Sequence, residues 1–184
     1  MAKLKLGLIV GSNRKESINR KLALALAKLG ADAFEAKLIQ IDDLPMYNED
    51  FEAPLPAPVA RFKSEVEASD ALLVVSPEHG RSIPAVLKNA IDWGARPWGK
   101  TSWPDKPAVI TGTSGGALST ALVQQHLRSV LGDQGLHLLG GEAYIQYKPD
   151  LIDSEHNVTD ASVRDFLKAL MDRFAVFAGK LAAA

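Results

Sequence analysis

Short apolar runs and longer helical repeats alternate along the chain. Three runs are rich in Leu and β-branched residues and are predicted to be strands: residues 4–10, 71–75 and 107–111. Runs of this length without strict polar–apolar alternation are typical of strands buried on both faces of a parallel sheet. Two weaker runs, residues 34–41 and 136–139, predict further strands. The second of these could continue beyond Gly140-Gly141 into residues 143–146.

The segments between these strands carry apolar residues at helical spacing. Leu22, Leu26 and Leu29 repeat in this way in the first segment. The pattern predicts five helices, at residues 18–29, 58–68, 84–93, 117–131 and 159–181. Strand and helix therefore alternate, which predicts an α/β fold: a doubly wound parallel sheet of five strands with helices on both faces, in three layers. No domain break interrupts the pattern, so residues 1–184 are expected to form a single domain.

Composition then narrows the classes of function. The chain has 21 Lys and Arg against 22 Asp and Glu, for a formal net charge of -1. Binding of nucleic acid or of an acidic membrane needs clustered excess Lys and Arg, so neither is expected. The absence of Cys excludes disulfides, thiolate chemistry and Cys-based zinc sites. The first apolar run is too short to span a membrane and lacks a signal peptide's cleavage site, which predicts no membrane insertion and a cytoplasmic location.

The candidate chemistry lies in three loops at the carboxyl ends of strands, where open α/β sheets bind their ligands. The first loop, residues 11–19, offers the hydroxyls of Ser12 and Ser17, the guanidinium of Arg14, the amide of Asn19 and the N–H groups of a helix start. These groups favour an anion-binding site, although neither a P-loop nor a dinucleotide fingerprint is present. Alternatively, these residues bind no ligand: Ser17 only caps the helix, and Arg14 is a surface charge.

The residues of the second loop, 76–84, favour contact with a flat ring. Pro77 fixes one edge of the loop, and Gly80 permits a positive φ or the close approach of a ligand. Several backbone groups of the loop are free to meet a planar heterocycle. Glu78 and His79 could also form an acid–base pair, although adjacent residues of this kind are common in solvated loops.

The third loop, residues 112–116, reads Gly-Thr-Ser-Gly-Gly and matches the G-x-S-x-G pattern of a hydrolase nucleophile. It raises the alternative of a serine esterase that uses Ser114. Only Asp150 or Asp153, followed by His156, could complete the triad, and Asp153 and His156 are too close in sequence to arrive on separate loops. A simpler interpretation is another loop of close approach that faces the same ligand.

Five sequence blocks occur in order along the chain. They are Gly11-Ser12-x-Arg14-x-x-Ser17-x-Asn19, Leu44-Pro45-Met46-Tyr47-Asn48-Glu49-Asp50, Ser76-Pro77-Glu78, Ser82-Ile83-Pro84-Ala85-Val86-Leu87-Lys88-Asn89-Ala90-Ile91-Asp92-Trp93 and Gly112-Thr113-Ser114-Gly115-Gly116. Together they resemble the NAD(P)H-dependent FMN reductase family, which includes bacterial flavin, quinone and chromate reductases with a flavodoxin-like fold. The resemblance runs from about residue 4 to residue 140, and the fourth block is its specific part.

The resemblance implies FMN as cofactor and NADPH or NADH as co-substrate. The residues implied to hold the FMN phosphate belong to the first loop: Ser12, Arg14, Ser17, Ile18 through its backbone, and Asn19. Those implied to lie beside the isoalloxazine belong to the other two loops: Pro77, Glu78, His79, Gly80, Ser114 and Gly115. No catalytic side chain and no metal are implied, because the cofactor carries the redox chemistry.

The implied activity is a ping-pong oxidoreductase. Hydride passes from NAD(P)H to bound FMN, and a quinone, a free flavin or a similar small acceptor then takes the electrons. Family members are dimers or tetramers, so a homodimer or homotetramer is expected. Residues 47–50 and Trp93 could belong to its interface, although a Trp on a helix is more often simply buried. The alternative from another class is a flavin-binding electron carrier or sensor with little turnover.

The chain departs from the family's usual pattern in the second loop. The family usually has Tyr-Asn-Gly where this chain has His79-Gly80-Arg81. A backbone contact at Gly80 would survive the change, whereas a side-chain bond from Asn to the ring is lost. Arg81 adds a positive charge near the mouth of the site, where it would meet a nucleotide phosphate or an anionic acceptor, or remain solvated.

Overall fold

A parallel sheet forms the centre of the fold. The computed structural model describes residues 2–182. Its strands are β1 (Leu4–Val10), β2 (Phe34–Ile39), β3 (Ala71–Val75), β4 (Pro107–Ser114) and β5 (His137–Leu138). They are ordered β2-β1-β3-β4-β5, and every neighbouring pair is parallel. The doubly wound, flavodoxin-like sheet that was predicted is therefore confirmed.

The last strand of the sheet is split in two. β5 pairs with the first residues of β4, and β6 (Tyr144–Gln146) pairs with the last three. Gly141 lies between the two pieces with a φ of 95°, a conformation that glycine adopts readily. The expected continuation after the Gly-Gly pair is thus confirmed, with a break at the glycines.

Five helices cover the sheet: α1 (Ile18–Leu29), α2 (Ala57–Glu67), α3 (Ala85–Ala95), α4 (Ala121–Asp133) and α5 (Ala161–Ala182). Four lie within two residues of their predicted bounds at both ends. α4 is the exception, because it begins four residues later than its apolar pattern predicts, and residues 115–120 form a loop instead. No helix within residues 2–182 is long and apolar enough to cross a membrane.

Two apolar cores lie on opposite faces of the sheet. Alternate side chains of β3 enter different cores: Leu73 and Val75 face α1 and α5, while Leu72 and Val74 face the other three helices. The same alternation occurs in β1. This double burial explains why the strands are apolar at nearly every position, as the sequence pattern indicated.

The segment before α2 is fastened to α3. The side chain of Asn89 accepts a hydrogen bond from the Tyr47 N–H (2.8 Å) and donates one to the Pro45 carbonyl (3.0 Å). The indole N–H of Trp93 donates to the same carbonyl at 2.7 Å. Trp93 is fully buried inside the subunit, which confirms the buried interpretation over a place at a subunit interface. Two of the sequence blocks are therefore bonded to each other.

A charged cluster holds the other end of that segment. Arg96 donates to the Glu52 carboxylate at 2.6 Å, and the Tyr47 hydroxyl donates to the same oxygen at 2.8 Å. The guanidinium of Arg96 keeps the pKa of Glu52 below its usual range. Burial raises the pKa of Tyr47, and its hydrogen bond to Glu52 raises the pKa further. Glu52 is therefore ionised and Tyr47 keeps its proton near neutral pH.

Gly112 is required where β4 passes the end of β3. A Cβ at this position would lie 2.0 Å from the Ser76 carbonyl oxygen and 2.9 Å from Thr120 Oγ1. The obstacle is backbone, which cannot swing aside as a flexible side chain can. Glycine therefore lets the two loops that follow β3 and β4 lie side by side.

We expect Gly112→Ala to lower the free energy of unfolding by roughly 1–3 kcal/mol, because the added methyl overpacks this contact. Gly132→Ala is the matched control, since a Cβ at Gly132 in α4 meets nothing within 4 Å. There the helix propensity of Ala should stabilise the protein by up to about 1 kcal/mol. Urea unfolding followed by circular dichroism measures both; equal stability of the two variants would contradict the close-approach argument.

Candidate active site

The three candidate loops meet at one edge of the sheet. The strand order reverses between β1 and β3, and ligands of doubly wound sheets bind at such a switch point. The Gly11 N–H donates to the Val75 carbonyl at 2.9 Å, and the Ser76 N–H donates to the Thr111 carbonyl at 3.0 Å. The starts of the first two loops are thus held against the neighbouring strands.

The first loop presents free donors at the positive end of α1. Ser17 caps the helix by accepting the Arg20 N–H (3.2 Å), and Ser12 Oγ accepts the Arg14 N–H at 3.4 Å. The guanidinium-bearing side chain of Arg14 is exposed beside them. Within residues 2–182, six backbone N–H groups of the loop donate to no protein group: those of Asn13, Lys15, Glu16, Ser17, Ile18 and Asn19. Such a nest of donors fits a phosphate.

Asn19 joins the first loop to the third. Its side chain is 1% exposed, and its Nδ2 donates to the Thr113 carbonyl while its Oδ1 accepts the Thr113 N–H, both at 2.9 Å. The resemblance implied a phosphate contact for this residue. In the structure its side-chain amide bonds the backbone of β4, while its own backbone N–H is one of the free donors of the loop. The two residues are 94 positions apart, so no local pattern could have indicated the pairing.

The second loop contains a tight turn with an unusual sequence. His79 and Ser82 exchange backbone hydrogen bonds of 3.1 and 2.9 Å, and the residues between them, Gly80 and Arg81, have φ of 54° and 65°. Positive φ at both central positions is the type I′ turn, for which Asn-Gly is the preferred pair. Gly80 and Arg81 therefore form the turn that Asn-Gly prefers, and the left-handed arginine costs about 1–2 kcal/mol relative to glycine.

Glu78 fastens the second loop to α4. Its Oε2 accepts the N–H groups of Leu122 (3.0 Å) and Val123 (3.1 Å), and its Oε1 accepts a hydrogen bond from Arg81 at 3.2 Å. The side chain of the helix's own N-cap residue makes no capping bond. A carboxylate at a helix N-terminus is stabilised by the free donors and the helix dipole. The Glu78 carboxylate is thus occupied, and the acid–base pair with His79 does not form.

The remaining residues of the second loop flank this contact. The half-buried Pro77 accepts a hydrogen bond from the Ser76 hydroxyl at its carbonyl (2.8 Å). The side chain of His79 is exposed, and a Cβ at Gly80 would meet nothing within 4 Å. Ser82 Oγ lies 2.9 Å from Nδ1 of His126 in α4, a second link between the loop and that helix.

The third loop does not form a hydrolase site. Ser114 Oγ donates to the Ser119 carbonyl at 2.9 Å and accepts the Gly116 N–H at 3.3 Å. His156 lies beside the last turn of α1, whose first turn is at the candidate site, and Asp153 bonds to its own loop. Within residues 2–182 no histidine is bonded to Ser114, so the serine-esterase alternative is wrong.

An open cleft of about 490 Å³ separates the second and third loops. Its lining residues are Glu78, Gly80, Arg81, Ser114, Gly116, Ala117, Leu118 and Ser119. A Cβ at Gly115, next to this lining, would meet nothing within 4 Å, so the backbone is open to a flat ligand. The three residues at 117–119 were missed by sequence analysis because their apolar pattern extended the predicted helix. No acidic and histidine cluster within residues 2–182 is suited to a metal ion.

A family model described as NADPH-dependent FMN reductase matches residues 4–150. The chain belongs to this family. Membership makes the protein an oxidoreductase that uses FMN and NAD(P)H, as the resemblance implied. The donor nest suits the phosphate of FMN, and the open cleft suits its ring, so the residues present fit the cofactor.

Several relatives of this FMN reductase family member are similar over nearly their whole length. A 2-hydroxy-1,4-benzoquinone reductase of Burkholderia sp is 41% identical over 175 residues, covering 95% of this chain and 96% of the relative. A quinone reductase of Pseudomonas putida is 43% identical over 169 residues, covering 91% and 90%. The solved structure of FerB, a flavoenzyme NAD(P)H:(acceptor) oxidoreductase from Paracoccus denitrificans, superimposes with a TM-score of 0.93 at 41% identity, covering 96% of this chain and 98% of FerB.

We expect Arg14→Ala to weaken FMN binding by roughly 1.5–3 kcal/mol, the range of a charge-assisted hydrogen bond to phosphate. Arg20→Ala, at an exposed arginine in the first turn of α1, is the matched control. Titration of the FMN-free protein with FMN, followed by flavin fluorescence, measures the affinity. Riboflavin lacks the phosphate, so its binding should be insensitive to Arg14. Unchanged FMN affinity would show that Arg14 is only a surface charge.

Asn19→Ala should weaken the binding of both FMN and riboflavin. The substitution leaves the N–H and C=O of Thr113 without partners, which costs about 1–3 kcal/mol for each buried group and loosens the third loop. Asn13→Ala is the control, because Asn13 is exposed in the same loop. The same fluorescence titration distinguishes the roles: a loss confined to FMN would show that Asn19 is a direct phosphate ligand.

Proposed function

We propose that this protein is an FMN-dependent NAD(P)H:quinone oxidoreductase. In each turnover NAD(P)H, a proton and a quinone give NAD(P)⁺ and a hydroquinone, so two electrons move and the acceptor gains two hydrogens. One observation carries the proposal: the nest of free N–H groups at the start of α1 lies at the same sheet edge as the open cleft between the other two loops. Relatives named for quinone reduction support the choice of acceptor.

The chain's own residues hold and orient the cofactor. Ser12, Arg14, Ser17 and the N–H of Ile18 bind the FMN phosphate, and the helix dipole adds to their attraction. The residues that flank the ring are Pro77, His79 and Gly80, chiefly through their backbone, together with Ser114 and Gly115. When bound, FMN supplies two-electron redox chemistry, so the protein needs neither a nucleophile nor a metal.

Two further side chains act through the loops they hold. Asn19 fixes the third loop against the phosphate loop, and Glu78 fixes the second loop against α4. Rigid loops on both sides of the cleft would hold the flavin ring in one position between them. In this assignment both residues are positioning residues rather than groups that exchange protons with the substrate.

The open cleft allows two substrates to reach the same face of the flavin ring in turn. Its free volume of about 490 Å³ is bounded by two loops and is open to solvent between them. NAD(P)H would occupy the cleft first, and the quinone would bind in the same space once the oxidised nucleotide has left. This order is the ping-pong mechanism. Leu118, which lines the cleft, and Leu122 in the first turn of α4 are exposed apolar residues that suit contact with a neighbouring subunit of a homodimer or homotetramer.

The organisation proposed with this function is a single FMN-binding domain over residues 1–184 in the cytoplasm. Within residues 2–182, the two cores share one continuous sheet, which supports one folding unit.

The decisive experiment is anaerobic stopped-flow spectroscopy of the FMN-loaded protein. We expect NADPH or NADH to bleach the flavin absorbance within milliseconds to seconds, at rates typical of enzymes. Added 1,4-benzoquinone should then restore the absorbance in a second phase. A protein that binds FMN but is reduced only over many minutes would be an electron carrier or sensor. Protein that takes up no FMN would contradict the whole proposal.

A further inference from the structure

Within residues 2–182, Arg81 supplies the only positive charge that lines the cleft. The other seven lining residues comprise one acid, Glu78, and six uncharged residues. Arg81 stands in the type I′ turn at the mouth of the cleft, with a φ of 65°. A non-glycine residue in this strained conformation is uncommon, and strain of this kind is found preferentially at functional sites.

The ion pair with Glu78 leaves Arg81 able to bind a second anionic group. Glu78 is held mainly by α4, since one carboxylate oxygen accepts two helix N–H groups and its side chain is only 7% exposed. Arg81 is 68% exposed and uses one nitrogen, Nη1, for a single 3.2 Å contact. Its other N–H groups donate to no acceptor within residues 2–182. Because the helix end already offsets the charge of Glu78, the cleft keeps a positive bias at Arg81.

The chemistry of quinones indicates the matching ligand; this step rests on the proposed function. A quinone with a hydroxyl on a ring carbon is a vinylogous carboxylic acid, because the O–H is conjugated through C=C to a carbonyl. It therefore ionises at neutral pH, while an unsubstituted quinone stays neutral. In the 2-hydroxy-1,4-quinones the ionised oxygen lies next to a carbonyl oxygen. The planar fork of an arginine can hold such a pair of oxygens with two N–H groups.

We propose that Arg81 is a specificity-determining residue that makes an anionic hydroxyquinone the preferred acceptor. The guanidinium at the mouth binds the ionised oxygen and its neighbouring carbonyl, and so draws the ring into the cleft. A neutral quinone lacks the charge and gains less from Arg81. The residue acts on the choice of acceptor and takes no part in hydride transfer.

The test compares 2-hydroxy-1,4-benzoquinone with 1,4-benzoquinone as acceptors for the FMN-loaded protein. In a ping-pong enzyme, kcat/KM for the acceptor reports only the step that uses the acceptor. Arg81→Gln should lower the ratio of kcat/KM, hydroxyquinone over benzoquinone, by about fivefold or more, as loss of a charge-assisted bond predicts. Arg164→Gln is the matched control, since Arg164 is an exposed arginine in α5 with its own ion pair to Asp165 (3.1 Å), and it should leave the ratio unchanged.

A binding measurement without turnover provides the second readout. The oxidised, FMN-loaded protein is titrated with hydroxyquinone in the absence of NAD(P)H, and the flavin absorbance reports the dissociation constant. We expect Arg81→Gln to raise this constant by about fivefold or more, and high salt to weaken binding to the unmodified protein. Arg81→Gly, which restores the residue that the turn prefers, should show the same loss in a protein at least as stable.

The outcomes separate this proposal from the proposed function. An unchanged acceptor ratio in both Arg81 variants, or no preference for the hydroxyquinone in the unmodified protein, would overturn the role of Arg81. A change confined to the ratio of NADPH to NADH efficiency would overturn it as well, by placing the guanidinium on the nucleotide phosphate. Failure to reduce either quinone would instead contradict the proposed function.

Discussion

The candidate site depends on how the free end of β4 is held. β3 ends at Val75, opposite Thr111, so the last residues of β4 have no strand partner on that side. The side chain of Asn19 takes the place of the missing strand by bonding both backbone groups of Thr113. On the other side β6 pairs with the same residues, and the Thr113 hydroxyl donates to the Ile145 carbonyl at 2.6 Å. These contacts determine where the third loop begins.

The second loop is positioned by a different kind of contact, between a carboxylate and a helix end. Glu78 satisfies two N–H groups of α4 that the helix's own N-cap side chain leaves open. Since α4 follows directly from the third loop, this contact fixes the two walls of the cleft relative to each other. The resemblance assigned Glu78 and Asn19 to the cofactor, and the structure shows that each also serves to join two loops. A site of this kind obtains its precision from bonds between loops, while its chemistry comes from the cofactor.

The sequence predicted the architecture well because burial leaves a local signature. Strands covered on both faces are apolar throughout, and helices covered on one face repeat every three to four residues, so both can be recognised without knowing their neighbours. The one substantial error shows the limit of this approach. Ala117 and Leu118 continue the apolar pattern of α4, yet they lie in the loop that lines the cleft, and Leu118 is 58% exposed. An apolar residue at a ligand cleft has the same pattern as one in a core.

The sequence by itself determined the fold class, the three loops at the strand ends and the family, because each rests on short local patterns that do not depend on tertiary contacts. Only the tertiary structure decided which polar groups remain free for a ligand. Asn19 and Glu78 find their partners 94 and about 44 positions away, and Ser114 bonds within its own loop rather than to a histidine. Conversely, the N–H groups of the first loop and the guanidinium of Arg81 are left available. Whether a polar group is already hydrogen-bonded depends on which distant segments of the chain lie against it. Local sequence patterns carry no information about those contacts.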